Sequence, residues 1–152
     1  MSEKISAMRI FSQFGLDRLG WEVRGVTEDL LDWKYSEGAN TIRWLLTHVS
    51  EVLNVYFPRA FTGDLQYRPE GWPEGYEGDE GLTLEGILRD IEEGRRGLMR
   101  RFDELVPSAL EEELDWYIGA EKRELYLMIL TSEILHHEGQ IAAIIGLKKR
   151  LS

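Results

Sequence analysis

Apolar side chains recur at helical spacing over four long stretches of this chain, and between those stretches the period breaks. From Glu3 to about residue 26, Ile5, Met8, Phe11, Leu16, Leu19 and Val23 follow one another at intervals of three to five, which predicts a first helix. Residues 29–38 lose that period. There Leu31, Trp33 and Tyr35 alternate with polar residues, as expected of an extended connector whose rings fold back onto a bundle end. Asn40 or Thr41 can cap a second helix to about residue 62, with Ile42, Leu45, Leu46, Val49, Leu53 and Tyr56 on one face and Trp44, Val52 and Val55 widening it. Such a helix should be deeply buried. Residues 63–82 hold five glycines, two prolines and three aromatic residues without a helical period, which predicts a long loop packed against something. Thr83 can cap a third helix, with Ile87, Leu88, Ile91, Leu98 and Phe102 inward and Glu85/Arg89 and Glu92/Arg96 paired on its wet side. Pro107 ends it, residues 108–120 read as a second connector, and a last helix runs from Glu121 to about Lys149, apolar nearly all round.

Four apolar-striped helices and no convincing strand set predict an all-α four-helix bundle, one domain over residues 1–152. The 63–82 loop could span about 66 Å when extended, against about 33 Å for the second helix, so it can return along the bundle. An up-down-down-up order is therefore allowed. The last helix, with so little polar surface, is either central or shared with a second subunit, so a homodimer is admissible.

Composition narrows the chemistry. The chain has no cysteine, which excludes disulfides, thiolate nucleophiles and cysteine-bound metals and fits a reducing, cytoplasmic setting. Its net charge of −10, with no basic block longer than Lys148, Lys149 and Arg150, argues against nucleic acid. Residues 1–11 lack the apolar centre of a secretory signal, and no window approaches a membrane span.

Any metal must then be held by His, Asp or Glu. The chain has three histidines, His48, His136 and His137. His48 falls within the apolar arc of the second helix, where a buried imidazole needs partners. On the last helix Glu133 and His137 are four apart and project from one face, among apolar residues where a lone carboxylate would be driven toward its neutral form. Two His and one Glu can make an open site for zinc, nickel, iron or manganese. Two other readings of the same residues stand beside it. His48 can be a satisfied core histidine while Glu133 pairs with an arginine. Alternatively, Glu133-x-x-His136 has the spacing of di-iron bundles, although the second helix offers only His48-x-x-Glu51 in reverse order. No Gly-x-Ser-x-Gly elbow or phosphate-binding glycine motif is present.

The segment Thr41-Ile-Arg-Trp-Leu-Leu-Thr-His48-Val, preceded by Leu31-Asp-Trp33, and the later His136-His137-Glu-Gly139-Gln140-Ile141, resemble the two signature regions of the DinB/YfiT superfamily. The resemblance spans nearly the whole chain in element order and implies an up-down-down-up bundle with one metal site. The family's usual ligands, a second-helix His and a His-x-x-x-His pair, fall on His48, position 133 and His137. Glu133 departs from the three-histidine pattern but is similar to the His, Glu, His set of mycothiol-dependent maleylpyruvate isomerases. Glu138, where an arginine is usual, is a second departure. His136 points about 100° away from His137 and is expected to support a ligand or to sit in the core, not to bind the metal.

The resemblance implies a metal-dependent enzyme acting on a small molecule, with a low-molecular-weight thiol among the admissible partners: a thiol-dependent S-transferase or isomerase, or a hydrolase. On that reading the 63–82 loop covers the substrate, Tyr67, Trp72 or Tyr76 lines the entrance, and Glu51 is a candidate general base. The alternative is a non-catalytic, stress-associated or partner-binding bundle with a structural polar cluster.

Overall fold

Ser2 opens the first helix, α1 (Glu3–Glu22), its hydroxyl accepting from the Ile5 N–H. The computed structural model describes residues 1–152. Helix α2 covers residues 42–62 and is built from Ile42–Glu51, a π-helical turn Val52–Tyr56, and Phe57–Thr62. Thr41 caps it, accepting from the Trp44 N–H at 3.0 Å. The π turn has a local cause. Pro58 has no N–H and would crowd the carbonyl four residues back, and one extra residue in the turn before it relieves that crowding. The Asn54 amide donates to the Ser50 and Asp90 carbonyls, each at 2.9 Å, so the widened turn is tied to its neighbour. Gly63, at φ 76°, ends the helix in the left-handed region, its N–H donating to the Arg59 carbonyl. Helix α3 (Leu84–Glu104) is capped by Thr83, and α4 (Arg123–Leu151) closes the chain.

Side-chain pairs fix the helix directions. Lys4 meets Glu124, Ser12 meets Thr131 and Arg18 meets Glu138, so α1 and α4 run parallel. Arg9 meets Asp103 and Asp17 meets Arg95, so α3 runs against α1. Asn54 meets Asp90 and Phe61 packs on Phe102, so α2 runs with α3. The order is up-down-down-up, with residues 63–82 returning along the bundle. Ile42, Leu45, Leu46, Val49, Val52, Leu53 and Val55 are almost wholly buried, together with Ile87, Phe102, Tyr126 and Ile134. No helix is long and apolar enough to cross a membrane.

Three expectations need correction. Residues 108–120 are not a plain connector: they form a short helical turn, Pro107–Glu111, and most of an antiparallel hairpin of β1 (Glu113–Trp116) and β2 (Gly119–Lys122). With one buried residue, Leu114, the first strand carries no alternation to read. Consequently α4 starts at Arg123, whose buried guanidinium donates to the Ala60 and Ala109 carbonyls and Glu112, tying hairpin to bundle. On α1, Phe11 is exposed, and the inward position is Ser12, fully buried and bonded to Thr131 at 2.9 Å. Finally, α4 is not enclosed on every side, because Met128 is 53% exposed beside Phe11.

Candidate metal centre

His48 sits one turn before the π segment of α2, held by the parallel stack of its imidazole on Trp44, 5.0 Å between centroids and 7° between planes. His137 and Glu133 face it from α4. The Glu133 Oε2 lies 3.0 Å from His137 Nε2 and 3.4 Å from His48 Nε2, and the ligand atoms of the three residues all lie within 4.8 Å of one another. The two imidazoles cross nearly at right angles, their centroids 4.6 Å apart.

Each ring is also held from behind. Glu77, from the long loop, lies 2.7 Å from His48 Nδ1, and Gln140 Oε1 lies 2.7 Å from His137 Nδ1. All four ring nitrogens therefore face oxygen acceptors. A divalent cation between the two Nε2 atoms and Glu133 would satisfy both imidazoles as neutral rings, each keeping its proton on Nδ1 toward Glu77 or Gln140. Tetrahedral ligands about 2.1 Å from a metal stand about 3.4 Å apart, close to the observed separations from Glu133. The group His48, Glu133 and His137 can hold a metal ion. Burial acts to lower the His48 pKa, but the hydrogen bond and charge of Glu77, with Glu133, outweigh it and the net shift is upward. Glu77 is shifted down, chiefly by its hydrogen bond to His48.

The loop that brings Glu77 is anchored on both sides of it. Tyr76, 2% exposed, donates to Asp90 at 2.7 Å and meets Ser50 at 2.9 Å, and the Gly78 N–H donates to the Thr47 hydroxyl at 2.8 Å. Thus Tyr76 is a strut rather than part of an entrance, and neither Tyr67 nor Trp72 lines the cavity beside the centre. That cavity, about 420 Å³, runs along one face of α2 from His48 through Val52 and Tyr56 to Arg59. Its other walls are Ile129, Leu130 and the hairpin residues Trp116 and Tyr117. In the sequence the signal for those two rings is the Trp116-Tyr117 pair shortly before Gly119, which carries no helical or strand period.

The remaining sequence candidates separate. His136 is exposed on the outer face of α4, its ring edge against His137, so it is neither a core residue nor a ligand. Glu51 is buried beside Glu77, and first burial, then that neighbour, raise its pKa, but it does not line the cavity. The di-iron spacing therefore contributes Glu133 alone. Glu138, the other departure from the family pattern, is 3% exposed and is met by Arg18 from α1 at 3.3 Å. An arginine on α1 faces the acid that stands where the family usually carries arginine.

The family model of the DinB superfamily matches residues 14–141. The chain belongs to the DinB superfamily. A crystal structure described as a conserved protein from Enterococcus faecalis is similar to it with a TM-score of 0.69 at 13% identity, over 95% of each chain. At that identity the likeness carries the DinB fold alone. No curated protein matches the sequence.

Proposed function

We propose that this DinB-superfamily protein is a mononuclear enzyme dependent on zinc, nickel, iron or manganese, in which His48, Glu133 and His137 hold the metal and a small molecule reacts in the adjoining cavity. The reaction class is a thiol-dependent transfer or isomerisation, or a hydrolysis. The observation that carries the reading is the convergence of three ligand atoms within 4.8 Å, with both Nδ1 atoms already engaged. When bound, a divalent cation supplies Lewis acidity and lowers the pKa of a coordinated water or thiol. Glu77 and Gln140 hold the Nδ1 protons and so turn both Nε2 lone pairs toward Glu133. Trp44 fixes the plane of His48. Val52, Ile129 and Leu130 keep the cavity wall apolar, and Glu133 Oε1, with no hydrogen-bond partner in the protein, is available to take a proton from the incoming group. The exposed row Ile10, Phe11, Phe14 and Met128 supports a homodimer through α1 and α4, and the absence of cysteine supports a cytoplasmic site of action.

Elemental analysis of protein loaded with each of the four metals tests this. The parent is expected to bind about one equivalent, His48→Ala and Glu133→Ala to lose it, and Glu77→Gln to bind about 10- to 100-fold more weakly. No stoichiometric metal in the parent would sink the enzyme reading and leave a non-catalytic, partner-binding bundle.

A further inference from the structure

Arg59 is the one lysine or arginine lining the cavity, eleven residues beyond His48 on the same face of α2. The helix rise places the two Cα atoms about 16 Å apart, and the arginine side chain leans toward the N-terminal end, back over Tyr56. Its Nε donates to the Tyr67 carbonyl at 2.8 Å, and its guanidinium carbon lies 5.7 Å from the centre of the Tyr56 ring. That contact uses one of five N–H donors, and the terminal nitrogens have no hydrogen-bond or ion-pair partner in the protein. Among the other arginines that are at least partly buried, Arg101 also meets no carboxylate but does not line this cavity. Arg9, Arg43, Arg95 and Arg123 each meet a carboxylate of this chain within 3 Å. Arg59 is fixed in place with its bidentate edge unclaimed, in a cavity walled by Tyr56, Trp116 and Tyr117.

We propose that Arg59 is the specificity-determining residue of the cavity and that its ligand is a small organic acid. A carboxylate pairs with the terminal guanidinium nitrogens, an apolar or aromatic body lies against the three rings, and the opposite end reaches His48 and Glu133. The placement of that reacting end rests on the metal-centre reading, whereas carboxylate recognition by Arg59 does not. In a chain of net charge −10, with Glu133 at the far end, one unpaired cation also sets the direction in which an anion can enter. The carboxylate can belong to the substrate or to a carboxylated thiol co-substrate.

Calorimetric titration with two matched probe pairs tests the proposal. The pairs are 4-phenylbutyrate with 4-phenylbutyramide, and mercaptosuccinate with 2-mercaptoethanol. They are titrated into the full chain, chelator-stripped and zinc-loaded, and into Arg59→Gln, Arg59→Lys and His48→Ala. In at least one pair the acid is expected to bind the parent about tenfold or more tightly than its neutral analogue, with or without metal. Arg59→Gln should abolish that preference while leaving the affinity for the neutral analogue unchanged, which also serves as the check on folding. Arg59→Lys should restore part of it, and His48→Ala should keep it. Preference in the first pair assigns the carboxylate to the substrate, and preference in the second assigns it to the thiol. The proposal is overturned if Arg59→Gln keeps the preference, if the preference needs metal and vanishes in His48→Ala, or if no pair shows one. A parent that takes up no metal yet keeps an Arg59-dependent preference would refute the enzyme reading and leave this inference standing.

Discussion

Two glycines three residues apart on α3 should respond to alanine with opposite signs. An alanine in a helix interior is favoured over glycine by about 0.8–1.0 kcal/mol. At Gly97 a Cβ would meet nothing within 4 Å, so Gly97→Ala should stabilise the protein by about that amount. At Gly94 the same atom would lie 2.6 Å from Leu53 Cβ and 2.9 Å from the Asn54 amide nitrogen, both in the π turn of α2. Overpacking of this kind costs about 1–3 kcal/mol, and displacing Asn54 from the Asp90 carbonyl costs about 1 more. After subtracting the gain in helix propensity, Gly94→Ala should destabilise by about 1–3 kcal/mol. The two variants should therefore differ by about 2–4 kcal/mol in urea unfolding followed by circular dichroism. For a chain of this length that separates their Tm values by roughly 5 °C or more. Equal stability of the two variants would show that α3 can move off the π turn at no cost, and that the missing Cβ does not set the α2–α3 approach.

The acid side of the stability curve should carry a mark of Asp32. Its carboxylate accepts two bonds from the buried Arg43, at 2.7 and 2.9 Å, and chiefly that hydrogen bonding holds its pKa below the ordinary 3.8. A depressed carboxylate pKa contributes stability above the unfolded value and loses it as pH falls through the folded one. Asp32→Asn should thus cost about 1–2 kcal/mol at pH 7, discounted because Asp32 is half exposed, and the gap from the parent should close below pH 3.8. A gap that persisted unchanged to pH 2 in chemical unfolding would refute the pairing. Phe14→Glu with Met128→Glu should convert a dimer to monomer in sedimentation velocity without lowering Tm, and an oligomeric state unchanged by the pair would move the interface elsewhere.

Local chemistry made much of this protein legible before any fold was known. Thr41 and Thr83 mark helix starts because a short hydroxyl must satisfy first-turn amides, and Pro107 marks an end because it forbids helix at the residue before it. Glu133 and His137 share a face by helical period alone, His48 stands out as an imidazole in the apolar arc of the second helix, and the family signature points to the same three positions. Other features depend on neighbours far along the chain. Glu77 reaches His48 because Tyr76 and Gly78 are anchored on α2 and α3, 14 to 31 residues away, and nothing local in a glycine-rich loop specifies that docking. Phe11 turns outward and Ser12 inward because the rotation of α1 is set by packing on α4, which Gly15, Gly20 and a drifting apolar stripe leave undetermined. The hairpin, the Trp116 and Tyr117 wall and the unpaired edge of Arg59 likewise exist only once α2 and α4 run antiparallel. Periodicity and caps fix what a segment is, while the cavity is a property of which segments meet.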